Sequence, residues 1–247
     1  IKTLPVLQNR DLTTVELDNE SLIEVFISRA TEAETGHVLS DAETRKIAIH
    51  ELGHYIVGRA LGLPTQFFTV RPTEGSLGET FTSAGGAIKT LEVDEARKFV
   101  ASCLGSVKIE HFFGLKPREG SEADLDDATL WAKELVYVTC YKRSEPLKDY
   151  GLMSFEMESE EYSPTISNSL RAKLEKEVGL VLRKEEKRCE LILRFFGIKI
   201  LGKVLNAFLA KPNKVMLQAE IDLLLEPKLS AFHQKYGIKD LILEENW

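Results

Sequence analysis

The 247-residue sequence lacks the features that mark several large classes of protein. It has no G-x-x-x-x-G-K-[ST] motif, which excludes ATP binding through a P-loop in this chain. It has no run of about 18 apolar residues and no charged-then-apolar N-terminus, so we expect the chain as given to be soluble. The chain begins at Ile1 rather than Met, which leaves open a membrane segment upstream. A formal net charge of −7 without a long Lys/Arg run argues against nucleic-acid binding.

Cysteine is also scarce. Cys103, Cys140 and Cys189 are an odd number without C-x-x-C spacing, and each falls in an apolar or amphipathic stretch. This pattern predicts buried free thiols in a reducing compartment. The length is sufficient for a sizeable core, as one large domain or two small ones.

Two of the five histidines lie in residues 47–58, which read I-A-I-H-E-L-G-H-Y-I-V-G. The H-E-x-x-H spacing places His50 and His54 one helical turn apart on one face, so two imidazoles can hold one metal ion. Catalytic zinc takes three protein ligands and a water, so a third ligand must come from elsewhere. Glu51 could take a proton from that water as it attacks a peptide carbonyl. The pattern predicts metallopeptidase chemistry. The alternative is that both histidines only pack in the core and bind no metal.

The segment around the motif carries start and stop signals for a helix. Ser40 and Glu43 have the spacing of a capping box, and Gly62 followed by Pro64 is a typical stop. An apolar stripe should bury this helix, with the histidines on the adjoining face: Ile49, Leu52, Ile56 and Ala60.

The remaining patterns predict a mainly α fold with a small β element. Short strands are expected at residues 65–71 and 78–83, and they could either bind an extended peptide or only cover the core. Helices are expected at residues 92–113, at 167–209 with a bend or division at Gly179, Gly197 and Gly202, and at 214–225.

An acidic stretch at residues 119–129 (E-G-S-E-A-D-L-D-D-A-T) is a candidate source of the third ligand. Ser121 could cap a helix here, and capping alone explains acidic residues in a first turn. A carboxylate at a rigid helix start could equally bind metal. Ala60 stands where a metzincin would have its third histidine, which excludes that class. A glutamate ligand from a later helix stays open as an alternative.

Three segments in order, I-A-I-H-E-L-G-H-Y-I-V-G, L-G-E-T-F and E-G-S-E-A-D-L-D-D-A-T, resemble the peptidase domain of the FtsH family of ATP-dependent zinc metalloproteases. The resemblance implies that His50, His54 and Asp124 are the Zn²⁺ ligands and that Glu51 is the base. Ala123 stands where the family has Asn, and residues 104–110 (L-G-S-V-K-I-E) replace a G-G-R-A-A-E-E run.

The resemblance also implies an organisation and partners. Residues 1–39 would be a linker with the remnant of an ATPase lid helix at 22–29. Residues 40–226 would be the peptidase domain, with a metal helix and a C-terminal helical bundle, and residues 227–247 a tail. The implied partners are polypeptide substrates, identical subunits in a hexameric ring, and an AAA+ ATPase module in the same or another chain. The alternatives are a catalytically silent ring subunit and a domain with a structural metal.

Overall fold

The computed structural model describes residues 39–71, 77–82, 93–116, 120–138 and 167–237. Its elements in chain order are α1 (Asp41–Ala60), β1 (Thr65–Thr69), β2 (Glu79–Thr82), α2 (Val93–Phe112), α3 (Gly120–Lys133), a π-helical turn (Glu134–Val138), α4 (Asn168–Phe196), α5 (Ile198–Leu209), β3 (Val215–Leu217) and α6 (Gln218–Tyr236). The predicted fold class, mainly α with a small β element, is confirmed.

Helix α1 begins and ends where its sequence predicts. The Ser40 hydroxyl accepts from the Glu43 N–H at 3.3 Å, and the Glu43 carboxylate accepts from the Ser40 N–H at 2.9 Å. Gly62 follows the helix with a φ of 76°, a conformation that favours glycine. The apolar stripe is buried as expected, because it faces the core formed with the later helices: Ile49, Leu52, Ile56 and Ala60.

Helices α1 and α2 touch backbone to backbone at two glycines. A Cβ added to Gly53 would lie 2.5 Å from the Gly105 carbonyl oxygen, and one added to Gly105 would lie 2.8 Å from the Gly53 oxygen. Such distances are shorter than real Cβ contacts, so only glycine fits on both sides. The crossing therefore brings the polar side chains around Gly53 and Gly105 within hydrogen-bonding range.

The three strands form an antiparallel sheet in the order β2-β1-β3, with β2 at one edge. The expected helix at residues 214–225 is wrong at its start, because Val215 and Met216 are buried in strand pairing with β1. Helix α6 starts only at Gln218 and continues through Pro227, so the expected boundary after residue 226 falls inside a helix.

The long C-terminal pattern forms two helices, with Ser167 as the N-cap of α4. Gly197 divides α4 from α5 at a φ of 76°, whereas Gly179 and Gly202 do not divide the helices, since each lies inside one helix. Phe232 of α6 is fully buried against Phe195 and Phe196, so part of the expected tail belongs to the core.

A buried ion-pair network joins α2 to α4. Glu185 Oε1 accepts from Arg97 Nε at 2.8 Å and lies 2.7 Å from Arg97 Nη2, and Glu185 Oε2 lies 2.9 Å from Arg188 Nη1. All three side chains are almost fully buried. Because a buried charge without a partner is costly, this network makes α4 a fixed support for α2.

Cys103 and Cys189 are buried free thiols, in agreement with the sequence, and burial raises the pKa of Cys103 to about 12. Cys140, residues 1–38 with the expected lid helix at 22–29, and the tail beyond residue 237 lie outside the described residues. Among the helices that are described, none is long and apolar enough to cross a membrane.

Candidate metal centre

The two histidines of α1 and Asp124 of α3 converge on one point. His50 Nε2 lies 2.9 Å from Asp124 Oδ2, and His54 Nε2 lies 3.2 Å from Asp124 Oδ1. All three residues are buried, and one donor atom from each lies within 4.8 Å of the other two. Donors bound to one tetrahedral zinc ion at about 2.0 to 2.2 Å are roughly 3.3 Å apart. Each imidazole Nε2 therefore lies about as far from an Asp124 oxygen as two ligands of one zinc ion lie from each other.

Asp124 lies on the second turn of α3, which begins at Gly120. The expectation that Ser121 caps this helix is wrong, because Ser121 lies inside the first turn and its hydroxyl donates to Glu110 Oε2 at 3.1 Å. Asp124 Oδ2 also contacts α2, where it accepts from the Ser106 hydroxyl at 2.7 Å. The carboxylate is thus held between both histidines and α2.

The outer nitrogen of each imidazole also has a fixed partner. His50 Nδ1 lies 3.1 Å from Oε1 of Glu110, which is fully buried, and His54 Nδ1 lies 2.9 Å from the Ser102 carbonyl oxygen. Carboxylates and backbone carbonyls in these positions orient metal-binding histidines and leave Nε2 free to bind the metal. This second layer of contacts makes the imidazoles suitable as ligands.

Sequence reasoning missed these supporting residues of α2. Ser102, Ser106 and Glu110 are spaced by four, so they form one stripe along the helix, directly opposite α1. All three are buried among mostly apolar residues of the same helix. Buried polar residues at helical spacing were the signal that could have revealed them.

The electrostatics of the cluster favour opposite charges on His50 and Asp124. Burial lowers the pKa of His50, but hydrogen bonds with Asp124 and Glu110 outweigh burial and raise it to about 10. Burial would raise the pKa of Asp124, whereas the attraction of His54 and hydrogen bonds with both imidazoles hold it well below its usual range. Without metal, a proton on His50 offsets the negative charge of Asp124. A divalent cation can replace that proton, so the donor set fits zinc.

Glu51 is buried beside the cluster and is held by strand β2. The Thr80 hydroxyl lies 2.8 Å from Glu51 Oε2 and 2.9 Å from the Glu51 carbonyl oxygen. A Cβ on Gly78 would lie 3.0 Å from Glu51 Oε1, so glycine allows the chain entering β2 to approach the carboxylate closely. The negative charge of Glu51 also contributes to the raised pKa of His50.

Fold and site together define a mainly helical domain with a buried His-His-Asp group that could hold a metal ion. The chain is 27% identical over 171 residues to the ATP-dependent zinc metalloprotease FtsH of Acaryochloris marina. That match covers 68% of this chain and 25% of the relative, so the chain spans about a quarter of the relative's length. No family model matches the chain. The similarity supports a relationship to FtsH proteins.

Proposed function

We propose that this chain is a zinc-dependent endopeptidase of the FtsH type. The observation that carries the proposal is the convergence of His50 Nε2, His54 Nε2 and the Asp124 carboxylate, with Glu51 buried next to them. Two imidazoles and one carboxylate make a donor set with three protein ligands, which is typical of catalytic zinc sites and leaves a position for water. Structural zinc sites, in contrast, are closed by a fourth protein ligand.

In this proposal His50, His54 and Asp124 hold the metal ion. The chemistry supplied by bound zinc is activation of water, whose pKa falls from ~15.7 to about 7, and polarisation of the peptide carbonyl. Glu51 takes a proton from the water as its oxygen attacks the carbonyl carbon. Glu51 then gives that proton to the departing amine nitrogen when the C–N bond breaks, so no proton is left over. Thr80 holds the Glu51 carboxylate while it accepts and returns the proton.

Strand β2 is a suitable place for a polypeptide substrate. It lies at the edge of the sheet and pairs with β1 on one side, while Thr80 connects it to Glu51. An extended peptide that adds to a sheet edge by main-chain hydrogen bonds would lie next to the metal centre. This arrangement favours cleavage of unfolded segments over cleavage of folded ones. Membrane-protein substrates are part of the proposal only through the resemblance to the FtsH family.

The partners follow from the relative and remain part of the proposal. The relative is an ATP-dependent enzyme, and this sequence has no P-loop motif. ATP-driven delivery of substrates would therefore need an AAA+ ATPase module in the same natural chain or in a partner, with the peptidase domains arranged as a hexameric ring.

The test combines metal content with proteolysis. The purified chain, alone and mixed with an FtsH-type ring ATPase, is assayed for bound zinc and for cleavage of casein. We expect about one zinc per chain and cleavage that is lost in Glu51→Gln with zinc retained. Glu122→Gln makes the same change on an exposed residue of α3 and should cleave like the parent. Zinc binding without any cleavage would instead favour a catalytically silent ring subunit. Unfolding on chelation without cleavage would favour a structural metal domain.

A further inference from the structure

Ser106 contacts the metal centre from α2 without belonging to the proposed ligands. Its side chain is fully buried, and its hydroxyl lies 2.7 Å from Asp124 Oδ2. That distance is ordinary for a hydroxyl bond and lies within the range for a bond to an ionised carboxylate. The same carboxylate oxygen faces His50 Nε2 at 2.9 Å.

The hydroxyl has one proton and two acceptors within reach. Besides Asp124 Oδ2, the Cys103 carbonyl oxygen of the preceding helical turn lies at 2.8 Å. A hydroxyl donates only one hydrogen bond, and an anionic carboxylate is the stronger acceptor. The Ser106 proton is therefore directed to Asp124. If the carboxylate were removed, the Ser106 hydroxyl would still donate to the Cys103 carbonyl oxygen.

The backbone of Ser106 is fixed in place by the helix crossing. The Ser106 Cα lies only 2.8 Å from the position of a Cβ built on Gly53, and the neighbouring Gly105 touches α1 directly. A donor on so rigid a support can hold the plane of a carboxylate, whereas Asp124 alone could rotate about its side-chain bonds.

We propose that Ser106 is a positioning residue that holds the Asp124 carboxylate in the orientation needed to bind the metal. The inference rests on the proposed function, because it assumes that Asp124 is a ligand. Oδ2 is held by Ser106, and Oδ1 faces His54 Nε2 at 3.2 Å, so the hydrogen bond determines how both oxygens are presented to the metal. Supporting contacts of this kind typically contribute 10- to 100-fold to metal affinity.

The test measures zinc affinity by competition with a chromophoric chelator, using the full chain and no substrate. Ser106→Ala should raise the Kd for Zn²⁺ by about 10- to 100-fold and shift the absorption bands of bound Co²⁺, which report ligand geometry. Thr69→Val is the matched control, because it also removes a buried hydroxyl that donates to a carbonyl, that of Lys214 at 2.8 Å, outside the metal centre. Its Kd should stay close to that of the parent.

A double-mutant cycle separates positioning from general destabilisation. In an Asp124→Ala background, Ser106→Ala should cause no further loss of affinity, since the group it positions is absent. If the alanine variant does not fold, Ser106→Cys is measured instead, because cysteine is close to serine in shape and has a weak S–H donor. Its Kd for Zn²⁺ should lie between that of the parent and that expected for Ser106→Ala.

Two results would overturn the inference. One is a Ser106→Ala variant that binds zinc like the Thr69→Val control, and the other is an equal loss of affinity with and without Asp124. In both cases the parent still binds zinc, so the result does not contradict the proposed metal centre. A parent chain that binds no zinc would end both the inference and the proposed function.

Discussion

Replacing Gly53 by alanine should force α1 and α2 apart at the point where the metal centre is built. The new Cβ would lie 2.5 Å from the Gly105 oxygen and 2.8 Å from the Ser106 Cα, and ordinary contacts begin at 3.4 Å. The backbone of α2 must therefore retreat by about 0.9 Å at Gly105. Metal sites tolerate deviations of only about 0.2 Å in ligand distance, so the change should also disturb zinc binding.

The expected change in the free energy of unfolding has the opposite sign to that of an ordinary glycine-to-alanine change in a helix. Alanine gains about 1 kcal/mol in helix propensity, but overpacking against a rigid backbone costs about 1 to 3 kcal/mol or more. We expect Gly53→Ala to lower the free energy of unfolding by about 1 to 2 kcal/mol and to weaken zinc binding at least tenfold. Gly202→Ala is the control, because nothing lies within 4 Å of its added Cβ, and it should stabilise the fold by about 0.5 to 1 kcal/mol.

Urea unfolding of the metal-free variants measures the stability, and chelator competition measures the zinc affinity. Metal-free protein is used for unfolding so that weaker binding is not mistaken for weaker folding. A Gly53→Ala variant that is as stable as Gly202→Ala and binds zinc like the parent would refute the close backbone contact.

Two pH dependences and two substitutions test other parts of the structure. Because the pKa of His50 is raised to about 10 without metal, zinc must displace the proton on this imidazole. Calorimetry in buffers of different ionisation enthalpy should show about one proton released per zinc at about pH 7.5. The affinity for zinc should rise with pH up to about 10. The same pairing stabilises the metal-free fold fully between about pH 4 and about pH 6.5. This stabilisation is lost as the pH rises through about 10, and also as the pH falls toward the lowered pKa of Asp124. Thr80→Val removes the donor to Glu51 and should lower casein turnover by about tenfold or more, whereas Thr80→Ser should not. Glu185→Gln removes the negative charge that both buried arginines contact and should cost about 3 to 5 kcal/mol in urea unfolding, against about 0 to 1 kcal/mol for Glu186→Gln on the surface.

The sequence predicts the elements that are determined locally. The capping box at Ser40 fixes the start of α1, and the spacing of His50 and His54 fixes their common face, because both depend only on helix geometry. Strand β3 was missed because three residues form a strand only through pairing with β1, which is a long-range contact. The boundary proposed after residue 226 ignores that Phe232 is buried against α4.

The residues of the metal centre also differ in whether local sequence patterns predict them. Spacing alone identifies the two histidines, but Asp124 is 70 positions from His54 and was assigned by resemblance rather than by local pattern. The support from Ser106 and Glu110 depends on how α2 crosses α1, and the sequence of either helix alone does not reveal that crossing. The glycines that allow the crossing could be recognised only once both helices were placed.

The most direct test of the account is the position of zinc in the protein. Crystals of the zinc-loaded chain, with anomalous diffraction recorded on both sides of the zinc absorption edge, would locate the ion. The account predicts one peak about 2.0 to 2.2 Å from His50 Nε2, His54 Nε2 and an Asp124 carboxylate oxygen. Zinc bound at other residues, with the His50–Asp124 contact unchanged, would contradict it.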